Sequence, residues 1–251
     1  SSSVAESSSS VESSSSEEPS SSSVVESSSS VAESSSSSED DVSSSSEYYK
    51  LSWDYLNPSI PYDTIIDSRD GQVYKIVTIG NQTWMAENLN YYDTIQLPDL
   101  KQHSWCLDDQ ILNCERYGRY YDNPIAMDYD SSQTSQYKRY KKEDGTYDSL
   151  NVVGICPNGW RVPTRSEWLS LDSSCDVRSA QWGGKNTCGI SVYSSGYRDT
   201  VSFFRDGAYF WTASYNSLVK PSTIVFEQKK TSGIFGMFRR KGLSIRCIKD
   251  N

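Results

Sequence analysis

Cys156-Pro-Asn-Gly-Trp-Arg-Val-Pro-Thr-Arg-Ser-Glu-Trp168 holds a cysteine, a turn, a short extended piece and a helix start in thirteen residues. Asn158-Gly159 supplies a turn in which glycine can take positive φ. Thr164 and Glu167 form a T-x-x-E capping box, the hydroxyl and the carboxylate each satisfying a backbone N–H at the helix start. A helix is therefore expected from about Arg165. The stretch contains no catalytic constellation and reads as framework.

Outward from it, the chain divides into two chemically different parts. Residues 1–47 contain 28 Ser, 10 acidic residues and no Lys or Arg. Removing those 10 from the 33 acids of the chain leaves 23 against 24 bases in residues 48–251, a balance near +1. The acidic net charge thus belongs to the first part, and no broad electropositive face for nucleic acid is implied for the second. Val-Ala-Glu or Val-Glu units followed by runs of serine recur through residues 1–47 with no period that could bury a face. Such a composition cannot offset the entropy of ordering, so a disordered linker is expected, spanning about 40 Å as a random coil. No run of 18 apolar residues occurs, and the opening on Ser1 in a linker is read as a processed chain that followed a secretory or lipoprotein leader.

Six cysteines lie between positions 106 and 247, an even set that favours disulfides in an oxidising compartment. Fifteen pairings are open in principle. The reading adopted is Cys106 with Cys114 and Cys175 with Cys188, which close short local loops, leaving Cys156 with Cys247 as a long staple. A zinc site is not expected, because there is no C-x-x-C and His103 is the only histidine.

Secondary structure reads as α+β. Asp67-Ser-Arg-Asp-Gly71 is a tight turn before the β-branched strand Val73–Ile79, and Gly80-Asn81 turns the chain into Gln82–Met85. Asn123-Pro124 opens a short helix through Met127. Residues 129–150 read as a surface insertion, and short strands are expected over 191–197, 209–214, 223–228 and 242–249. Two short helices among many short strands indicate an α+β domain over residues 48–251.

These blocks carry a family resemblance. Asp67-Ser-Arg-Asp-Gly-Gln-Val-Tyr-Lys75 through Gln82-Thr-Trp-Met-Ala-Glu-Asn-Leu-Asn90 resembles the opening of the Fibrobacter succinogenes major paralogous domain. In order there follow Tyr117-Gly-Arg-Tyr-Tyr121, Cys156–Pro163, Glu167-Trp168, Gly196-Tyr-Arg198, Tyr209-Phe-Trp211 and Ser244–Asp250, covering residues 64–250. The resemblance implies a secreted or surface-attached bacterial domain with a fold similar to the C-type lectin and formylglycine-generating-enzyme group: a small twisted antiparallel sheet, two helices, long loops and disulfides. The family brings no established general activity. Ser194-Ser195 stand before Gly196 where the family commonly has Leu and Pro, and Cys175 with Cys188 form an additional staple.

Trp84, Trp160, Trp168 and Trp211 sit inside strand, turn or helix patterns and are read as core. Trp182 lies in a Gly-rich loop between two cysteines, where an exposed indole would offer a sugar-stacking platform and a tucked one would cover the core. Tyr197, Arg198 and Asp199 are the other candidate ligand contacts, with Arg198 also readable as a framework arginine satisfying backbone carbonyls. Tyr137–Lys142 mixes aromatic and basic residues but reads as a solvated insertion. Gly233–Phe238, flanked by Lys229-Lys230 and Arg239-Arg240-Lys241, reads as the apolar tip of a charged hairpin, whose Ile, Phe and Met would dock a partner or fold back into the core.

Enzyme chemistry finds little purchase. His103 has no G-x-S-x-G partner, and no phosphate loop occurs, although a pair of glycosidase carboxylates is never excluded by composition. The E-P-N, Q-P-D and W-N-D signatures of a lectin calcium site are absent, and neither a cofactor nor a metal is expected. The expectation is a non-enzymatic extracellular or cell-surface binding module for polysaccharide or a surface protein, with a structural or assembly component of the bacterial outer surface as the alternative and an enzyme of the formylglycine-generating-like group ranked below both.

Overall fold

The computed structural model describes residues 48–127, 139–141, 143, 147–149, 151–215, 221–228 and 233–250. The expected linker, residues 1–47, lies outside them. In chain order the strands are β1 (Asp63–Ile66), β2 (Val73–Ile79), β3 (Gln82–Met85), β4 (Ser104–Trp105), β5 (Tyr120–Tyr121), β6 (Arg139–Lys141) and β7 (Tyr147–Ser149). There follow β8 (Tyr197–Arg198), β9 (Phe203–Phe204), β10 (Ala208–Tyr215), β11 (Pro221–Phe226), β12 (Gly233–Gly236), β13 (Leu243–Ser244) and β14 (Ile248–Asp250). The helices are α1 (Leu100–His103), α2 (Ile111–Tyr117), α3 (Asn123–Met127) and α4 (Arg165–Ser174).

This is an α+β domain, and it departs from expectation in two respects. One small antiparallel sheet was expected. Instead, β1-β2-β3-β14 form a four-stranded sheet, β8 and β9 a separate hairpin, and an eight-stranded sheet runs β12-β11-β10-β13-β5-β4 with β7 and β6 attached through β10. That larger sheet is mixed, since β10 and β13 pair in parallel at Phe210 and Ser244. Two short helices were expected, and four are present among the described residues together with short 3-10 turns. The turns at Asp67–Gly71 and Gly80 fall where read, with Gly71 and Gly80 at φ 76° and 62°.

Cys156–Trp168 links the two sheets. The Trp160 N–H donates to the Pro157 carbonyl at 2.9 Å around Gly159, whose φ is 80°. Arg161 exchanges backbone hydrogen bonds with Ile248 at 2.8 and 2.9 Å, and the Ala213 N–H donates to the Pro163 carbonyl at 2.8 Å. The first contact reaches β14 of the small sheet and the second β10 of the large one. The capping box is complete: the Glu167 N–H donates to Thr164 Oγ1 at 3.3 Å and the Thr164 N–H to Glu167 Oε2 at 2.7 Å.

Two clusters form the core, and this stretch feeds both. Trp160 enters one with Met85, Leu89, Tyr121, Val162, Trp211 and Ile245. Trp168 enters the other, 5.0 Å from the rings of both Trp84 and Phe210. All four tryptophans read as core are buried, and Trp211 donates its indole N–H to the Tyr121 carbonyl at 2.8 Å. Disulfides join Cys106 to Cys114, Cys156 to Cys247 and Cys175 to Cys188, with Cα separations of 4.9, 5.9 and 5.9 Å, and no cysteine is free.

Candidate functional site

The site begins with the β8–β9 hairpin. Tyr197 pairs with Phe204 and Arg198 with Phe203, and the Asp199 N–H donates to the Ser202 carbonyl at 2.7 Å, closing a tight loop. Gly196 enters at φ 74°, and a Cβ there would lie 1.8 Å from the Phe204 carbonyl oxygen, so only glycine lets the strands approach this closely. Alternation along a strand then sends consecutive side chains to opposite faces.

One face carries Tyr197, stacked on Phe204 with centroids 4.8 Å apart and packed on Tyr209 at 4.7 Å. Lys241 Nζ lies 5.0 Å from the Tyr197 ring centroid and 3.2 Å from Asp199 Oδ2. The Thr200 N–H and Lys241 together hold the Asp199 carboxyl below its ordinary range. Burial and a 2.9 Å hydrogen bond to Asp206 push the Tyr209 phenol up, so it stays a neutral donor. Asp199 and Lys241 also line a cleft of about 340 Å³ with Thr200, Phe238, Arg239 and Arg240. Phe204 is 41% exposed and Phe238 80%.

The other face carries Arg198. Its guanidinium carbon lies 4.3 Å from the Trp105 ring centroid and 5.7 Å from that of Phe203. Its side chain satisfies no backbone carbonyl among the described residues, contrary to the framework reading, and Nε is buried without a partner. The hairpin therefore unites Tyr197 and Asp199 and excludes Arg198 from their face. Asp199 takes Lys241, not Arg198, as its ion pair.

Trp182 belongs elsewhere. It ends a 3-10 turn, Ala180–Trp182, and is half-buried against the second core cluster beside Cys175 and Cys188. Its ring is therefore only partly available as a platform. His103, read as a surface residue, ends α1 half-exposed with Nδ1 2.6 Å from Asp122 Oδ2. Gly233–Gly236 of the apolar stretch read as a hairpin tip form strand β12, paired along β11 with Phe235 exposed, and Met237 and Phe238 follow the strand. Lys229 and Lys230 lie outside the described residues. So do Tyr137, Lys138 and Lys142, while residues 139–141 and 147–149 of the expected insertion loop form strands β6 and β7.

Phe203, Phe204, Tyr209 and Lys241 are the members of these surfaces that the sequence did not single out as contacts, whereas Phe238 belongs to the apolar stretch read as able to dock a partner. The signal for the first two was present: Tyr197-Arg198 and Phe203-Phe204 flank the loop Asp199-Thr-Val-Ser202 at hairpin spacing. Among the described residues no group of three or more His, Cys, Asp or Glu side chains is placed to hold a metal ion, and no helix is long and apolar enough to cross a membrane.

Two sheets, short helices and three disulfides around a hairpin rich in aromatics define a stapled α+β domain that displays loops. The chain belongs to the Fibrobacter succinogenes major domain family, which matches residues 77–249. No curated protein and no solved structure matches it significantly.

Proposed function

We propose that the protein is a non-enzymatic binding module of the bacterial cell surface, and that its contact face is formed by Tyr197, Phe204, Tyr209, Asp199, Lys241 and Phe238. The observation that carries this reading is the union of stacked, partly exposed rings with a cation–carboxylate pair at the mouth of a cleft. Rings of this kind cover the apolar faces of sugars, and the pair orients their hydroxyls. Polysaccharide is the ligand class this face suits best. Three disulfides favour an oxidising, extracellular location, and the short strands joined by long stapled loops support the likeness to the C-type lectin and formylglycine-generating-enzyme group.

Retention on insoluble polysaccharides and a glycan array test it. Phe204→Ala and Phe238→Ala are expected to weaken binding about 3- to 10-fold each, with unchanged melting temperatures. Binding unaffected by either variant would remove the face, whereas loss in Trp182→Ala alone would move it to the disulfide-pinned loop. Crosslinking to one surface protein without glycan affinity would favour an assembly role.

A further inference from the structure

Among the described residues, the buried carboxylates and Lys50 each meet a partner group within ion-pair distance. Glu87 pairs with Lys50 at 3.1 Å and also accepts from Trp53 Nε1 at 3.1 Å. Asp67 pairs with Arg69 at 2.7 Å and Asp122 with His103 at 2.6 Å. Among the same residues Arg246 has no carboxylate and its Nε is without a partner, but both its terminal nitrogens are bound, one to Asn88 Oδ1 at 2.6 Å and one to the Ile190 carbonyl, and it is sealed from solvent.

Arg119 has no carboxylate and only one long hydrogen bond from its terminal nitrogens among the described residues. It is 6% exposed, yet its polar side-chain contact is Nη1 to the Ser104 hydroxyl at 3.5 Å, and that hydroxyl already donates to the Leu100 carbonyl at 2.7 Å. Nε is buried without a partner. The guanidinium carbon lies 3.8 Å from the centroid of Tyr92, a surface ring. Removing a guanidinium from water without a counterion costs several kcal/mol. Burial lowers the Arg119 pKa, and the groups that oppose this are the phenols of Tyr121 and Tyr92, not carboxylates.

The backbone holds this cation in place. Gly118 sits at φ 73°, where a Cβ would come within 2.6 Å of Asn88 Cβ, and the Arg119 N–H donates to the Leu89 carbonyl at 2.9 Å. Strand alternation sends Ser104 and Trp105 to opposite sides of β4, so Arg119 and Arg198 lie on opposite sides of the sheet. The guanidinium lies against the Tyr92 ring with one long hydrogen bond to Ser104, and its N–H fork has the geometry that matches a flat carboxylate.

The geometry points to an anion subsite, separate from the hairpin face, in which Arg119 stacked on Tyr92 beside Ser104 receives the carboxylate of a ligand. That carboxylate belongs to an acidic sugar or to a peptide. Melting curves and calorimetric titrations of the full, disulfide-intact chain would use sodium galacturonate, N-acetylglycine and neutral galactose at matched ionic strength. At least one carboxylate is expected to raise the wild-type melting temperature saturably while galactose does not, and the one that acts identifies the source. Arg119→Met should abolish the response and melt at or above the ligand-free wild type, because an unpaired buried charge has gone. Arg119→Lys should raise the Kd about tenfold by losing the fork. No carboxylate response in the wild type, an equal response in Arg119→Met, or equal affinity in Arg119→Lys should Met not fold, would overturn the assignment. Glycan retention at the hairpin face is expected to survive both variants, so the two sites fail separately.

Discussion

At the scale of single residues, Arg161 shows how the opening stretch is locked. Nη2 lies 2.6 Å from Glu167 Oε1 and 2.7 Å from Asp250 Oδ1, tying the first turn of α4 to the last strand. Burial raises the Glu167 pKa, but the bonds from Arg161 and Thr164 outweigh it, and the bond from Arg161 lowers Asp250 as well. Carboxyls depressed in the native state bind protons more readily when unfolded. Their contribution is present above the ordinary carboxylate range of about 4 and is lost as pH falls through the native values. Arg161→Ala should therefore lower stability near neutrality and flatten the acid limb of a melting-temperature profile between about pH 5 and 2. An unchanged limb would show that the triad is not what acid breaks. Trp168→Ala, which empties the centre of the second cluster, should cost about 3–5 kcal/mol in chemical denaturation.

At the scale of elements, legibility followed locality. Strands β2 and β3 were readable because β-branched residues and Gly turns mark them, and α4 because its cap is written in Thr164 and Glu167. The strand expected over 191–197 was interrupted by positive φ at Ser191 and Gly196, leaving only Tyr197–Arg198. The strand expected over 242–249 is two strands in different sheets. Between them, the carbonyls of Ile245 and Cys247 accept from the Leu89 and Met85 N–H groups as the chain crosses. Helix α2 was invisible because its Ile111 and Leu112 are exposed, so no buried apolar face marks it. Of the candidate site, Tyr197 and Asp199 were found, but Lys241 and Phe238 arrive from over 30 positions away in sequence, through the pairing of Arg198 with Gly242. Gly196→Ala should open the hairpin, costing at least about 2 kcal/mol and abolishing binding at the Tyr197 face. Normal melting and normal retention would contradict the close approach of the two strands.

At the scale of the whole molecule, the three disulfides differ in what they close. Their sequence separations are 8, 13 and 91 residues. On a chain-entropy account the long one contributes about 4–5 kcal/mol and each local one about 2–3. Replacing Cys156 and Cys247 together by Ser should thus lower the melting temperature more than replacing either local pair, as calorimetry would show. The pairing was legible from loop lengths alone, whereas the parallel contact of β10 with β13 was not, because one pair of residues decides it and no local pattern encodes it.

The long disulfide also has a mechanical meaning. Trp182, Tyr197, Asp199, Phe238 and Lys241 all lie between Cys156 and Cys247, inside a covalently closed ring. Tension applied at the two ends of the domain passes from Cys156 to Cys247 across sulfur and never pulls on the segment within. After the three residues of β14 peel from β3, extension from that end meets a covalent stop. In force spectroscopy with pulling at the termini, the oxidised protein should release roughly 300 Å less contour length than the reduced one.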